Sequence, residues 1–414
     1  MEEILFKNIK GIVGVYEKKP TLLRTSEIFI DEQGSLHYEK IKKTGRVIDC
    51  KNGVVIQSFF NGGLDLNIYM KNSENIIDNI YFDNSYLLRG ESKISKELLE
   101  LAIRRNIIES LLGAVTGTIH IGLKCSHVIE HSSKFGFKTL CGPIIYGENI
   151  IDKNEINNYA YLKNIVLNVY LNKNLKLEHL KNFIENYDNK VTINYRLPNS
   201  HLEYLSMLKT TGNTPILSLA KMNLIKGKII ISNVNWITNT EIELMKEKDI
   251  FLENSPVMSS YLGIGSVLPI AEFMKDKLTD KIIIGTDYFF EGLFQNLVTN
   301  LFIFFILQRF FYSSRAIKWN DVINMLWNGW QLISSEKYCI KDGCEPDLVL
   351  IDNINWGDLN FERAIFNSNL FNIKGIYINK KSYLNSRDLD KLRKEKHSIE
   401  GELISKMDIL LTKV

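Results

Sequence analysis

Seven polar residues stand at or near the ends of predicted strands, and their side chains could bind or transform a small molecule. They are Asp65, His120, Asn194, Arg196, Asn233, Ser259 and Asp287. Carboxylates can hold a hard cation or move a proton, a guanidinium can bind an anion, and amides and hydroxyls can hydrogen bond a polar ligand. The seven residues therefore define a candidate pocket, although the pattern assigns a catalytic role to none of them.

The elements that must position these residues alternate along residues 54–334. Apolar strand-like runs such as VVIQSFF, TGTIHIG and KIIIGTDYF are followed by helical stretches such as KELLELAIRRNIIESLLGAV. About eight such βα units predict an α/β fold with a parallel sheet, most economically a closed (β/α)₈ TIM barrel. Functional residues of such a barrel gather at the carboxyl ends of its strands, where the polar residues above are found.

The segments on either side of this region have a different pattern. Residues 1–53 alternate apolar and polar positions and break at Gly, Asn and Asp, as short strands do. Residues 335–414 return to strand-like pieces and end in a charged helix. Neither segment makes a complete core by itself. We therefore predict that 1–53 and 335–414 form one small, discontinuous β-sandwich domain into which the barrel of 54–334 is inserted.

Two carboxylates of the candidate pocket are expected to lie close together. Asp65 follows the first barrel strand and Asp287 the last, and these strands are neighbours about 4.8 Å apart in a closed barrel. Two such carboxylates do not both ionise readily unless a proton, a side-chain cation or a hard metal ion lies between them. We expect Arg196 to be that cation, with His120 as the alternative. Arg196 could equally bind an anionic ligand.

Two other groups have spacings that could suit a metal. His127 and His131 are four residues apart beside Glu130, and Cys339 and Cys344 are separated by four residues. A zinc-protease-like histidine pair needs an intervening Glu at its own spacing and a third ligand, so a solvated helix is the favoured interpretation. For the cysteine pair, which could also be a redox pair, a turn is favoured because no second pair exists.

Composition narrows the class of protein. The chain has 414 residues, 45% of them hydrophobic and 24% charged, with a formal net charge of +3. These values exclude disorder as the dominant state and give no sign of a nucleic-acid surface. The N-terminus is acidic and shows no signal-peptide pattern. Five scattered cysteines, an odd number, predict a reduced, cytoplasmic protein.

The longest apolar run covers residues 301–307, LFIFFIL. A transmembrane helix needs about 20 apolar residues, so no membrane partner is expected. Together with Phe310, Phe311 and Tyr312, the run has more apolar surface than one barrel-facing stripe requires. We therefore predict that the protein is a homo-oligomer.

Several segments, taken in order, resemble the amidohydrolase superfamily, in particular its deaminase and chlorohydrolase branch. GVVIQSFFNGGLDL stands in the place of the first-strand motif Pro-Gly-Phe-x-Asn-x-His-x-His, and LENSPVMSSYLGIGSVLPI resembles the seventh-strand segment. IIIGTDYFFEGL carries the eighth-strand Gly-Thr-Asp, and MLWNGWQLI followed by EPDLVLID resembles the closing helix and returning strand. This resemblance implies the barrel and composite domain over nearly the whole chain.

The resemblance also implies that most metal ligands of the family are absent. The two first-strand histidines fall on Gly63 and Asp65, and the fifth-strand His-x-x-Glu falls on Asn194 to Leu197. The sixth-strand histidine falls on Asn233, so that only the eighth-strand Asp287 remains. Zinc is held mainly by imidazole, thiolate and carboxylate groups. We therefore expect a degenerate member with no cofactor, although a divalent cation on Asp65 and Asp287 is possible.

Three functions follow as hypotheses. The first is a non-hydrolytic pseudoenzyme that binds an unidentified small molecule or a partner. The second is an active C–N hydrolase of the deaminase type with altered chemistry, either metal-free or with a cation on Asp65 and Asp287. The third is a scaffold subunit that uses the apolar helix around residues 301–307. Elemental analysis would separate the first two, and solution mass would test the third.

Overall fold

The structure is a computed structural model of the chain. It describes residues 3–39, 45–70, 80–81, 86, 88, 94–146, 149–151, 165–172, 175–185, 191–264, 267–290, 296–313, 317–333, 337–352, 360–366, 372–378, 380 and 382–411.

One sheet combines strands from both ends of the chain. Its strands are β1 (Ile4–Tyr16), β2 (Lys19–Leu23), β3 (Glu27–Ile30), β4 (Leu36–His37), β5 (Arg46–Gln57), β17 (Leu348–Ile351), β18 (Ile373–Ile378) and β19 (Ser382–Leu384). β1 runs parallel to β5, and β17 pairs antiparallel with β5 on its other side. Because β5 continues to Gln57, it crosses the predicted boundary at residue 53 without interruption. The division of the chain into 1–53 with 335–414 and 54–334 therefore remains a prediction.

Two further sheets are built mainly from parallel strands. The first has the order β16 (Asp287–Phe290), β6 (Phe59–Met70), β7 (Val115–His120), β8 (Lys138–Leu140). The second has the order β10 (Asn149–Ile151), β9 (Ile144–Tyr146), β11 (Val166–Tyr170), β12 (Thr192–Arg196), β13 (Ile229–Ser232), β14 (Ile250–Asn254), β15 (Ile282–Ile284). Strands such as β7, β11, β13 and β15 are buried at every position, as expected for parallel strands covered on both faces.

These two sheets approach each other at both edges. An isolated parallel bridge joins Cys141 to Ile165, and the Thr286 backbone N–H donates to the Gly63 carbonyl at 3.1 Å. Over the described ranges, however, the ladders do not form one closed barrel. A mixed α/β fold with parallel sheets is therefore confirmed, whereas the predicted closure is not seen.

Helices follow most of the parallel strands. They are α1 (Lys96–Leu112), α2 (Cys125–Lys134), α3 (Leu177–Glu185), α4 (His201–Thr211), α5 (Pro215–Lys221), α6 (Asn239–Glu247), α7 (Pro256–Tyr261), α8 (Ile270–Lys275), α9 (Leu297–Tyr312), α10 (Trp319–Val322), α11 (Phe361–Phe366) and α12 (Ser386–Leu411). Side-chain caps fix several starts: Ser95 Oγ accepts from Leu98 N–H, and Thr238 forms a capping box with Glu241. Within the described residues, no helix combines the length and apolar character that crossing a bilayer requires.

Four of the five cysteines are paired, which corrects the prediction of free thiols. Disulfides join Cys125 to Cys141 and Cys339 to Cys344, while Cys50 is free and buried. The fold brings the start of α2 beside the end of β8, a proximity that counting cysteines cannot reveal. The Cys339–Cys344 bond closes the turn that we favoured there.

A buried acid ties the first sheet to the parallel strands. Asp347, just before β17, accepts from Lys138 Nζ at 2.5 Å and from Thr116 Oγ1 at 2.8 Å. The Ser58 backbone N–H donates to the Asp347 carbonyl at 2.9 Å. Asp347 is 1% exposed. Its carboxylate therefore links elements that are far apart in sequence.

We expect Asp347→Ala to lower the free energy of unfolding by about 2–4 kcal/mol, because it leaves the Lys138 ammonium without its buried partner. The control is Asp249→Ala, which removes the partner of Lys281 in a more exposed pair, where we expect less than about 1 kcal/mol. Urea denaturation of both variants measures the difference. Equal losses would contradict a special role for the buried link.

Candidate functional site

A buried ion pair lies at the carboxyl ends of the parallel strands. Arg196 Nη2 is 3.0 Å from Asp287 Oδ1, and both side chains are almost fully buried. Asp65 and Glu253 are close enough to interact electrostatically with both groups. We refer to Arg196, Asp287, Asp65 and Glu253 as the Arg196 cluster. We expected Arg196 to lie between Asp65 and Asp287; the structure shows its ion pair with Asp287 and, among the described residues, no direct ion pair with Asp65.

Strand register explains how these residues meet. Arg196 is the last residue of β12 and lies opposite Tyr170 on one side and Ser232 on the other. Asp287 opens β16 opposite Leu64 of β6, which confirms that the strands bearing Asp65 and Asp287 are neighbours. Asp287 has φ 59°, a left-handed conformation that is uncommon outside glycine and often found at functional sites.

Asp65 is enclosed by its own strand and by the loop after β7. Its Oδ1 accepts from the Asn67 backbone N–H at 2.9 Å. A Cβ on Gly122 would lie 2.4 Å from Asp65 Oδ1, so only glycine fits there. Burial raises the pKa of the Asp65 carboxyl to about 7, although the Arg196 charge acts to lower it. At neutral pH this group can therefore donate or accept a proton.

Glu253 is a member of the cluster that sequence reasoning missed. The Ser255 hydroxyl donates to its Oε1 at 2.6 Å, and the Asn233 backbone N–H donates to its Oε2 at 3.4 Å. A Cβ on Gly285 would lie 2.1 Å from the same Oε1. Burial raises the pKa of Glu253 to about 7, and the nearby Asp287 charge raises it further. The sequence did contain a signal for Glu253, because it is an acidic residue near the end of the apolar strand IFLEN.

The Arg196 guanidinium has unused donors. Nη2 binds Asp287, while Nε and Nη1 are buried and have no hydrogen-bond acceptor among the described residues. The guanidinium carbon also lies 5.5 Å from the centre of the Tyr170 ring. Buried donors are normally satisfied, so two guanidinium nitrogens without an acceptor among the described residues indicate a place for an acceptor atom of a ligand or water.

His120 is not available as a metal ligand. Its Nδ1 accepts from the Leu66 backbone N–H at 3.2 Å, and its Nε2 donates to the Leu123 carbonyl at 2.9 Å. Burial lowers the pKa of His120 to about 4, so the ring is neutral. It therefore holds the loop after β7 against β6 and does not pair with the carboxylates.

The predicted amide residues fill space between strands. Asn194 Nδ2 donates to Asn168 Oδ1 at 2.9 Å and its Oδ1 accepts from Ser232 Oγ at 2.7 Å, while Asn233 Nδ2 donates to Asn199 Oδ1 at 2.7 Å. Only Asn233 touches the Arg196 cluster, through its backbone. Ser259 lies on α7, and no described contact joins it to the cluster.

Other candidate ligands do not assemble into a centre. Glu130 pairs with Lys134 on α2 at 2.9 Å, which agrees with the interpretation of that helix as solvated. No group of three or more His, Cys, Asp or Glu side chains in the described part of the chain could hold a metal ion.

Comparisons with known proteins identify the fold. No family model matches the sequence. A 5'-deoxyadenosine deaminase of Methanosphaera stadtmanae is 23% identical over 146 residues, 35% of this chain and 34% of the deaminase. The chain thus matches about a third of the length of this curated relative.

Solved structures match over much more of the chain. A zinc-bound adenosine deaminase from Xanthomonas campestris superposes with a TM-score of 0.80 at 12% identity, covering 98% of this chain and 99% of that one. Guanine deaminase from C. acetobutylicum, with bound guanine, gives 0.70 at 14% identity, covering 92% and 99%. The chain therefore has the fold of amidohydrolase-superfamily deaminases and chlorohydrolases, as the resemblance implied.

The expectation that this protein has no cofactor is contradicted by zinc-bound proteins of the same fold. Besides the zinc-bound deaminase, an atrazine chlorohydrolase from Arthrobacter aurescens complexed with zinc has this fold, with a TM-score of 0.74 at 14% identity, covering 96% and 99%. The prediction did allow a divalent cation. The described residues of this chain do not fit zinc, because Asp287 is paired with Arg196 and Gly63 offers no side chain.

Proposed function

We propose that this protein binds a small polar ligand at the Arg196 cluster without hydrolysing it. The observation that carries the proposal is the buried Arg196 guanidinium, whose Nε and Nη1 lack acceptors among the described residues. In the family resemblance, Asp287 belongs to the reaction centre, but here Arg196 holds it in an ion pair. The position of the family's glutamate is taken by Leu197, which cannot transfer a proton.

The charges of the cluster restrict the chemistry of the ligand. Three carboxyl groups surround one guanidinium, so a carboxylate or phosphate ligand would meet repulsion. A neutral or weakly basic ligand that carries both amino donors and ring-nitrogen or carbonyl acceptors satisfies both sets of groups. Its acceptors would meet Arg196, and its amino groups would meet Asp65 and Glu253. We therefore propose an amino-substituted nitrogen heterocycle, a class that includes the guanine bound by one structural neighbour.

Binding can be tested by calorimetry with adenine, guanine and aminotriazines. Purine and benzoate, which carry acceptor atoms but no amino group, are the control ligands. We expect the amino heterocycles to bind, and Arg196→Lys to weaken binding by roughly 10- to 100-fold, the value of one or two hydrogen bonds. Thermal melting checks that the variant is folded. Equal affinity in Arg196→Lys, or no binding of any amino heterocycle, would contradict the proposal.

A second candidate function is supported by Glu253. Its buried carboxyl, with a pKa raised to about 7 by burial, is suited to act as a general base. An active C–N hydrolase with altered chemistry would then use this side chain. Ammonia release from the same heterocycles, measured with and without added Zn²⁺ or Mg²⁺, separates the candidates: turnover that Glu253→Gln abolishes favours the enzyme and overturns non-hydrolytic binding.

The barrel and the composite domain also remain proposals. We propose that the two parallel sheets together form a distorted barrel, supported by the hydrogen bond from Thr286 to Gly63 and the bridge from Cys141 to Ile165, and that the remaining sheet belongs to a composite domain. A cytoplasmic location also remains a proposal. The two disulfides argue against a reducing compartment.

A further inference from the structure

A cavity of about 540 Å³ lies beside the sheet that combines both ends of the chain. Its walls are residues 46–51 of β5, residues 350–352 at the end of β17, Lys374 of β18, Tyr383 of β19 and residues 385–386 at the start of α12. We call it the β5 cavity. Sites for small molecules commonly enclose about 300–1,000 Å³. No member of the Arg196 cluster lines the β5 cavity, so it is a separate candidate site.

Strand register accounts for this space. β1 pairs with β5 on one side at residues 46–49 and 53–56, whereas β17 pairs on the other side only from Val54 to Gln57. A Cβ on Gly53 would lie 2.4 Å from the Ile351 carbonyl oxygen, so the two strands meet closely there. Among the described residues, no strand pairs with residues 46–51 on the side away from β1. The cavity opens where the β17 ladder ends.

One wall of the cavity is aromatic and apolar. A Cβ on Gly375 would lie 2.2 Å from the Tyr383 hydroxyl, so glycine at this position allows the tyrosine to lie across β18. The Tyr383 ring meets Phe6 of β1 edge-on at 5.8 Å, and the Arg46 guanidinium carbon lies 5.1 Å from the ring centre. Leu350 adds a buried aliphatic side chain. A guanidinium that stacks on a ring keeps its N–H edge for hydrogen bonds.

The charges around the cavity leave two cations uncommitted. Three cations and two carboxylates line it: Arg46, Lys51, Lys374, Asp49 and Asp352. Asp352 pairs with Lys374 at 3.2 Å. Asp49 Oδ1 accepts from the Asn8 side chain and from the Lys51 backbone N–H, both at 3.0 Å. In the described part of the chain, neither the Arg46 guanidinium nor the Lys51 ammonium forms an ion pair. A ligand with two negative charges would balance them.

We propose that the β5 cavity binds a phosphate monoester. The phosphate meets Arg46, whose planar fork can bind two phosphate oxygens at once, and Lys51 supplies the second charge. The organic part of the ester lies against Tyr383 and Leu350. A monocarboxylate would balance only one of the two cations. This inference does not depend on the ligand at the Arg196 cluster.

The probe is phenyl phosphate, which has a dianionic head, an apolar body and no amino group for the Arg196 cluster to recognise. Phenol lacks the charge and inorganic phosphate lacks the body. Calorimetry with the full chain at low salt is expected to show phenyl phosphate binding at least about 10-fold more tightly than either control. No binding up to about 10 mM, or phenol or inorganic phosphate binding equally well, would overturn the proposal.

Substitutions locate the site. Arg46→Gln is expected to weaken phenyl phosphate binding at least about 10-fold, because it removes charge-assisted hydrogen bonds. Arg24→Gln removes an exposed arginine of the same region that does not line the cavity, and it should bind like wild type. If Arg46→Gln melts early, Arg46→Lys keeps the charge but loses the fork and should also bind more weakly. Unchanged affinity in the folded Arg46 variant, or a loss in Arg24→Gln, contradicts the assignment.

Discussion

Arg196→Met is expected to destabilise the protein by about 3–5 kcal/mol, the typical cost of removing one partner of a buried ion pair. The substitution keeps most of the side-chain volume but removes the only cation that pairs with Asp287 in the described residues. Asp65, Glu253 and Asp287 would then be three buried acids without a counter-charge. Urea denaturation measures the loss.

Two further measurements make this expectation specific. Arg104→Met removes an ion pair with Glu395 on the protein surface, and it should cost less than about 1 kcal/mol. Adding Mg²⁺ or Mn²⁺ should recover part of the stability of Arg196→Met, because a hard cation can bind carboxylate oxygens that the guanidinium no longer neutralises. The expectation is wrong if Arg196→Met and Arg104→Met are equally stable.

The wild-type protein is expected to lose stability as the pH rises through the range in which Glu253 ionises in the unfolded chain but not in the folded one. Burial raises the pKa of Glu253 from an ordinary value of 4.5 to about 7. Between these values the folded state holds a proton that the unfolded state releases. The stabilisation is therefore complete below pH 4.5 and is lost as the pH approaches 7.

The measurement is the free energy of unfolding at several pH values between 4.5 and 7.5 for wild type and Glu253→Gln. Glu253 alone contributes a slope of about −1.4 kcal/mol per pH unit, or roughly 3 kcal/mol over the window. Glu253→Gln should remove that slope and leave a similar contribution from Asp65, whose pKa burial also raises to about 7. Titratable groups that are the same in both proteins cancel in the difference.

An exposed acid provides the control for this pH experiment. Glu130→Gln removes a solvent-exposed carboxylate on α2 that pairs with Lys134, and the slope of the wild type should persist. Parallel stability curves for wild type and Glu253→Gln would show that the Glu253 carboxyl titrates in the folded state much as it does in the unfolded chain.

Some contacts of the Arg196 cluster could be predicted from the sequence and others could not. The adjacency of Asp65 and Asp287 could be predicted because it depends on strand order, which the βα alternation and the family resemblance both specify. The partner of Asp287 was a choice between Arg196 and His120, and the structure shows that His120 is bound to backbone groups instead. Ser259 was included as a hydroxyl near a predicted strand end, but it lies on α7, and no described contact joins it to the cluster.

The sequence by itself determined the mixed α/β fold, the strand ends that carry polar side chains and the apolar helix at residues 301–312. These features depend on local periodicity and on the order of elements, which a linear chain states directly. The tertiary structure alone decided that Glu253 joins the cluster, that two nitrogens of Arg196 have no acceptor among the described residues, and that Cys125 meets Cys141. Burial and contact between residues far apart in the chain set these properties, because pKa shifts and hydrogen-bond satisfaction depend on what surrounds a side chain.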